Sequence, residues 1–211
     1  NRTVNVTINK DNQSITFPAV LTPTYNPGGT FSLSASASSG LTVSYSSSTP
    51  SICTVSGSTV TEQGAGTCTI TASQAGNSCY NAALSVQRSI TINKASQSIT
   101  FPDPPALTFV PAGTFPLSAP APGGTVTYSS STTGICTVSG STVTKVGAGT
   151  CTINANQAGN TIYNAAPQVS KNITIAKANQ TITFPAQTTT SRTYSLSGSF
   201  AISPLATANS G

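Results

Sequence analysis

Five cysteines are the residues of this 211-residue chain best equipped for chemistry. Cys53 and Cys68 lie 15 positions apart, as do Cys136 and Cys151, and both pairs sit in one phrase: ICTVSGSTVTEQGAGTCTI at residues 52–70 and ICTVSGSTVTKVGAGTCTI at residues 135–153. Thiolate zinc sites need close cysteine pairs such as C-x-x-C, or histidine, and the chain has no His. Two disulfides, Cys53–Cys68 and Cys136–Cys151, are therefore expected. Each closes a loop whose lost unfolded-state entropy is worth roughly 3 kcal/mol, and both call for an oxidising compartment, extracellular or at a cell surface. Cys79 is left over as a free thiol in GNSCYNAA, where the second copy has Ile162 in GNTIYNAA. Since Ile fills the same place, Cys79 reads as a half-buried apolar position; the alternative is a thiol available for an interchain bridge.

Other chemistry is poorly supplied. A serine nucleophile needs a base, and without His only Lys, Asp or Glu could serve. The acids are three, Asp11, Glu62 and Asp103, no two of them at matching repeat positions. GAGT at Gly64 and Gly147 lacks the G-K-[ST] of a phosphate loop and reads as a turn. Calcium sites require clustered carboxylates, and a carboxylate-assisted Lys–Asn crosslink is disfavoured by the same shortage. No catalytic residues, metal site or cofactor is expected, and the chain does not read as an enzyme. Tyr25 and Phe109 occupy matching places in Pro-rich loops; they read as caps on a core, with a glycan platform as the weaker alternative. The N-x-[ST] triplets at Asn1, Asn5, Asn12, Asn172 and Asn179 arise by chance in so Asn-, Ser- and Thr-rich a chain.

Composition narrows the partners. Charged residues make up 5%, against roughly 25% in an ordinary domain, and the net +5 reflects missing acids. Lys10, Lys94, Lys145, Lys171 and Lys177 are scattered, mostly at repeat junctions, so nucleic-acid binding is not expected. No apolar run approaches the ~20 residues of a membrane span.

The elements that must position the cysteines follow from the repeat. QSITFP begins at Gln13 and again at Gln97, and QTITFP at Gln180, a period of 84 and then 83 residues. Such a unit suits one small β-domain rather than a solenoid turn. In the first copy, residues 14–17, 30–35, 41–47, 52–56, 58–62, 67–73 and 84–92 alternate apolar with small polar side chains, the period of half-buried strands. Gly, Pro and Asn clusters separate them. About seven short strands imply a small β-sandwich. Gly57-Ser58 suits a two-residue type II′ hairpin, because glycine comes first. Its register puts Cys53, Val55 and Val60 on one face; Cys68, Ile70 and Ala72 share another, so both sulfurs are expected in the core. Phe17, Phe31 and Tyr45 fall in phase with it. Pro18, Pro102 and Pro185 close the opening strand and mark it as an edge strand.

The series QxITFP, FxLSA, VxYSSST, ICTVSGSTVT, GAGTCTI, QAGN, YNAA and ITI resembles the tandem bacterial immunoglobulin-like repeats of large secreted and surface, adhesin-like proteins, over nearly the whole chain. The cysteine phrase and QAGNxxYNAA carry most of that likeness. The chain departs from antibody-type domains in having no Trp and a 15-residue Cys spacing. The resemblance implies an all-β fold of tandem Ig-like sandwiches, set outside the cell in arrays that act as stalks or adhesive fibres, and no active-site residues.

The expected organisation is a closing strand of a preceding repeat at 1–10, Ig-like repeats at 11–94 and 95–177, and the opening strands of a third, incomplete repeat at 178–211. The junctions NKDNQ, NKASQ and AKANQ are too short for a flexible linker, which favours an extended rod. The broken terminal repeats suit a fragment of a longer chain; alternatively the strand at residues 4–10 completes the open sandwich of another copy by strand addition. Partners are then further repeats of the same chain or other copies of it, with surface glycans or proteins as ligands. The rival class is a spacer or carbohydrate-binding module of a secreted multidomain enzyme.

Overall fold

Alternating side chains give each segment one apolar face, and its backbone N–H and C=O groups are satisfied only by pairing with neighbours. The computed structural model describes residues 7–183 and the backbone of 207–208, and every regular element among them is a β-strand. Two compact units form, one of Asn1–Ser98, Ala121–Thr125 and Gln157–Pro167, the other of Ile99–Pro120, Val126–Asn156 and Gln168–Gly211.

The first unit holds β1 (Ile15–Thr16), β2 (Thr30–Ser32), β3 (Ser36–Ala37), β4 (Ser44–Ser47), β5 (Cys53–Ser56), β6 (Thr59–Glu62), β7 (Gly66–Ser73) and β8 (Val86–Ile92). One antiparallel sheet runs β2-β6-β5 and another β4-β7-β8, while β1 pairs only with β3, as an edge strand ending before Pro18 should. Between them Phe17, Leu33, Val60, Ile70, Ile90 and Ile92 form the core with Cys53 and Cys68. Tyr45 meets Phe17 edge-on with ring centroids 5.8 Å apart, and its hydroxyl accepts from the Ala35 N–H at 2.7 Å. The β5–β6 hairpin pairs Val55 with Val60 and Ser56 with Thr59. Gly57 has φ +58, and Ala112 is the one described non-glycine residue with positive φ, so Ser58 fits type II′ and not type I′.

Three strands differ from the sequence pattern. The strand expected at 30–35 ends at Ser32, where the chain leaves β6, and the next strand, Ser36–Ala37, pairs with β1 instead. The strand expected from residue 41 starts at Ser44, after a turn in which the Ser39 hydroxyl accepts from the Leu41 N–H. Leu84, in phase with a buried face, is 89% exposed; the chain there is still tied to a loop through Ala83 N–H donating to Gln74 O.

The second unit holds β9 (Leu107–Thr108), β10 (Thr114–Pro116), β11 (Thr127–Ser130), β12 (Cys136–Ser139), β13 (Thr142–Lys145), β14 (Gly149–Asn156) and β15 (Val169–Ala176). Its sheets run β10-β13-β12 and β11-β14-β15-β9, with β9 parallel to β15. Phe101, Leu117, Val143, Ile153, Ile173 and Ile175 are buried with Cys136 and Cys151. No opening strand forms at residues 98–101, where one bond, Thr100 N–H to Pro120 O at 3.0 Å, replaces the β1–β3 ladder. Pro120 and Pro122 stand where Ser36 and Ser38 do in the first copy, and proline has no N–H to give. Beyond these, β16 (Ile182–Thr183) pairs antiparallel with β17 (Thr207–Ala208). Of the closing strand expected at 4–10, residues 4–6 lie outside the described residues, and residues 7–10 form no strand, with Ile8 90% exposed; most of the partial repeat expected at 178–211 lies outside the described residues.

Candidate functional site

Because β5 and β7 belong to different sheets, the bond between Cys53 and Cys68 ties the two faces of the first sandwich together, across a Cα–Cα distance of 5.7 Å. Cys136 and Cys151 do the same in the second, across 5.6 Å. All four cysteines have zero exposure. Disulfide sulfurs carry no proton, so the nearby hydroxyls are the donors: Ser47 and Thr49 reach Cys53 Sγ at 3.3 and 3.7 Å, and Ser130 and Thr132 reach Cys136 Sγ at the same distances. These bonds are sealed from solvent reductants. Cys79 is a free and exposed thiol, not the half-buried position that Ile162 occupies in the other copy; its backbone N–H and C=O are both engaged.

The three acids stand apart and each has a local task. Asp11 lies in a backbone bridge with Tyr80. Glu62, 5% exposed, accepts from the Asn26 N–H at 2.8 Å and so holds the Pro27-Gly28 turn. At the matching position Lys145 Nζ donates to Thr108 O at 2.8 Å; opposite charges thus brace the same loop from its donor and its acceptor side. Asp103 pairs with Lys171 at the surface. Among the described residues no cluster of His, Cys, Asp and Glu suited to a metal ion occurs. The GAGT segments are the turns leading into β7 and β14. Tyr25 is half-buried and packs against the first core. In the second unit a cleft of about 320 Å³ is lined by Phe101, Leu107, Phe115 and Leu117 with prolines at its rim, and its one carboxylate, Asp103, is already paired.

Several of the chain's cations are bound to the protein's own carbonyls, Lys145 among them. Arg88 Nε donates to Phe17 O at 2.9 Å and Lys94 Nζ to Asn160 O at 2.7 Å. No helix among the described residues is long and apolar enough to cross a membrane.

The most organised polar site was missed in the sequence. In QAGNSCYNAA, Gln74 Oε1 accepts from the Gly76 N–H at 2.5 Å, and Asn77 Oδ1 accepts from the N–H groups of Cys79 and Tyr80 at 2.8 and 2.9 Å. So folded, the loop grips the residue that leads into the repeat. Asp11 N–H donates to Cys79 O at 2.8 Å and Asn81 N–H to Asp11 O at 2.8 Å. Gln13 Nε2 adds bonds to Gln74 Oε1 and Asn81 O, both at 2.6 Å, and its Oε1 accepts from the Ser39 hydroxyl. The second copy repeats the site. Ala95 is held by Ile162 O and the Asn164 N–H, each at 2.9 Å. Gln97 Nε2 donates to Gln157 Oε1 at 2.5 Å and Asn164 O at 2.6 Å, and Gln97 Oε1 accepts from the Gly123 N–H at 2.6 Å. The recurrence of both glutamines in QxITFP and QAGN was the available signal.

No family model matches the chain, and no curated protein does. Among solved structures it is similar to domains 1–6 of the surface layer protein SbsC, at 16% identity and TM-score 0.28 over 81% of this chain and 29% of that one. It is similar also to a C-terminal 282-residue fragment of intimin, solved with the intimin-binding domain of the translocated intimin receptor, at 17% identity and TM-score 0.31 over 81% and 52%. A third is Drosophila N-cadherin EC1-4, at 11% identity and TM-score 0.32 over 79% and 51%. The chain spans between about a third and about half the length of these proteins, and at such scores the likeness carries no function across.

Proposed function

We propose that the chain is a structural or adhesive segment of an extracellular protein, a rod or fibre of repeated Ig-like modules on or released from a cell surface, and that it is not an enzyme. The observation that supports this most is duplication of a complete structural kit. Each copy has its own sealed disulfide between sheets and its own loop gripping its own leading residue, and all the bonds in each kit are made within that copy. A catalytic protein concentrates polar groups at one place; here they recur at one module's spacing and are spent on backbone. Buried disulfides persist in oxidising surroundings. Further repeats of the same chain, or other copies of it, are the structural partners, and surface proteins or glycans the adhesive ones.

The test uses cells that produce the full-length protein, treated intact with a membrane-impermeant maleimide and with antibody to this segment. The expected result is antibody labelling of intact cells, with Cys79 reacting before reduction and Cys53, Cys68, Cys136 and Cys151 only after unfolding in reductant. Retention in the cytosol with those four thiols reactive would overturn the proposal. Deleting the segment and measuring attachment of the cells separates an adhesive role, which is lost, from a spacer role, which a substitute of equal length restores.

A further inference from the structure

The first and last segments of the first repeat run side by side in the same direction. In the first copy Asp11 bridges Tyr80 and Thr24 bridges Asn93, both in parallel. The step from Asp11 to Thr24 is 13 residues and so is the step from Tyr80 to Asn93, so the two bridges share one register, while between them Ile15–Thr16 pair with β3. In the second copy Ala95 bridges Tyr163 within the first compact unit, and Thr108 pairs with Ala176 within the second, each pair parallel. Bonds cross the pair along its length. At the leading end are those of Asp11, joined by Asn81 Nδ2 to Asn12 Oδ1 at 3.0 Å. In the middle Arg88 reaches Phe17 O, and its counterpart Lys171 reaches Asp103. At the trailing end Asn93 N–H donates to Pro23 O and Tyr25 N–H to Asn93 O, each at 2.8 Å.

Direction decides how such a pair fails under load. The chain comes in at the leading end through Asp11 and goes out at the trailing end past Asn93. Tension on those two connections draws the first segment backward and the last forward along their shared line, so the crossing hydrogen bonds are stretched together, in shear. Had the segments been antiparallel, both connections would leave from one end and the bonds would open one after another. We propose that the first repeat is a tension-bearing element whose lock is this parallel pair, with the QAGNSCYNAA loop and the Arg88 side chain as its fasteners. Forced opening is governed by the unfolding barrier, so resistance to pulling is set by the pair and not by global stability. The inference needs only the chain connections and the register. Its failure would leave the extracellular reading standing, and the reverse.

Force spectroscopy on the full chain tests it, with handles first at the two chain ends and then at the chain start and Ser58, the tip of the β5–β6 hairpin, which bypasses Asn93. Rupture force is expected to be at least about twofold higher through the ends; equal forces in the two geometries overturn the proposal. Arg88→Ala is expected to lower one of the end-to-end rupture forces. Val55→Ala, outside the pair, should lower the melting temperature without lowering either force. The opposite pattern, with Val55→Ala weakening rupture and Arg88→Ala leaving it unchanged, would also overturn it.

Discussion

Gln97 and Gln157 face each other at the leading end of the second repeat, Nε2 to Oε1 at 2.5 Å, with only 8% and 6% of their surfaces exposed. Gln13 and Gln74 make the same bond at 2.6 Å in the first repeat, but are half-buried. Burial sets the difference in cost. A sealed amide that loses its partner forfeits its desolvation as well as the bond, about 1–3 kcal/mol, whereas a half-exposed one recovers water. Gln157→Ala is therefore expected to destabilise its repeat by about 2–3 kcal/mol and Gln74→Ala by less than about 1.5 kcal/mol. Urea unfolding of the two variants, followed by hydrogen exchange to assign each loss to its repeat, measures the contrast. Equal losses would show that the network in the second repeat is not dry.

Gly76 and Gly159 lie at φ +77 and +78 in the gripping loop. A Cβ on Gly76 would overlap Tyr80 O and sit 2.7 Å from the Asn81 carbonyl carbon; one on Gly159 would sit 2.6 Å from Tyr163 O. Both clashes are with backbone, which cannot step aside without releasing Asp11 or Ala95. Gly57, at φ +58, has nothing within 4 Å of such a Cβ. Gly57→Ala should then cost only the conformational penalty, about 1–2 kcal/mol, and Gly76→Ala clearly more. Melting temperatures rank the two, and faster exchange of the Asp11 amide in Gly76→Ala alone would locate the damage.

The disulfides are predicted to act chiefly on the unfolded chain. Replacing Cys53 and Cys68 together by Ala releases a 15-residue loop, a loss of roughly 3 kcal/mol from that repeat, while the second repeat keeps its stability. Differential scanning calorimetry should show one transition moved down and one unmoved. Removing only Cys53 adds a buried thiol at Cys68 to the same loss and should be no milder.

How much of this was legible in the sequence depends on the range of the interaction. The β5–β6 register followed from Gly57 and the alternation around it, because hairpin pairing is local, and inward-facing cysteines followed from that register. The all-β fold followed from the same period of two. What failed were features set by distant partners. Gln97 is polar and nothing beside it in the chain signals burial, yet it is buried with Gln157 and Gly123 as partners, 60 and 26 positions away. The opening segments QSITFP and QSITFP are identical in sequence, yet only the first is a strand. Its partner supplies N–H groups from Ser36 to Ser38, and the second partner has Pro120 and Pro122 in their place. Exposure of Cys79 could not be inferred from Ile162, because the loop commits the backbone at that position and not the side chain.

Ala112 marks one more place where the two copies differ in cost. It has φ +54, in a turn closed by the Gly113 N–H donating to Val110 O at 2.9 Å, with Pro111 before it. This is the third position of a type II turn, which demands positive φ and favours glycine; the first copy has Gly28 there, at φ +72. An alanine held in that conformation gives up about 1–2 kcal/mol relative to its preferred region, part of which glycine returns as unfolded-state entropy. Ala112→Gly is therefore expected to stabilise the second repeat by about 0.5–1 kcal/mol, and Gly28→Ala to destabilise the first by a similar or larger amount. For a domain of this size each kcal/mol moves the melting temperature by about 4–8 °C, well within the resolution of a thermal melt. A fall in stability for Ala112→Gly would mean that the alanine methyl makes a contact worth more than the strain it bears.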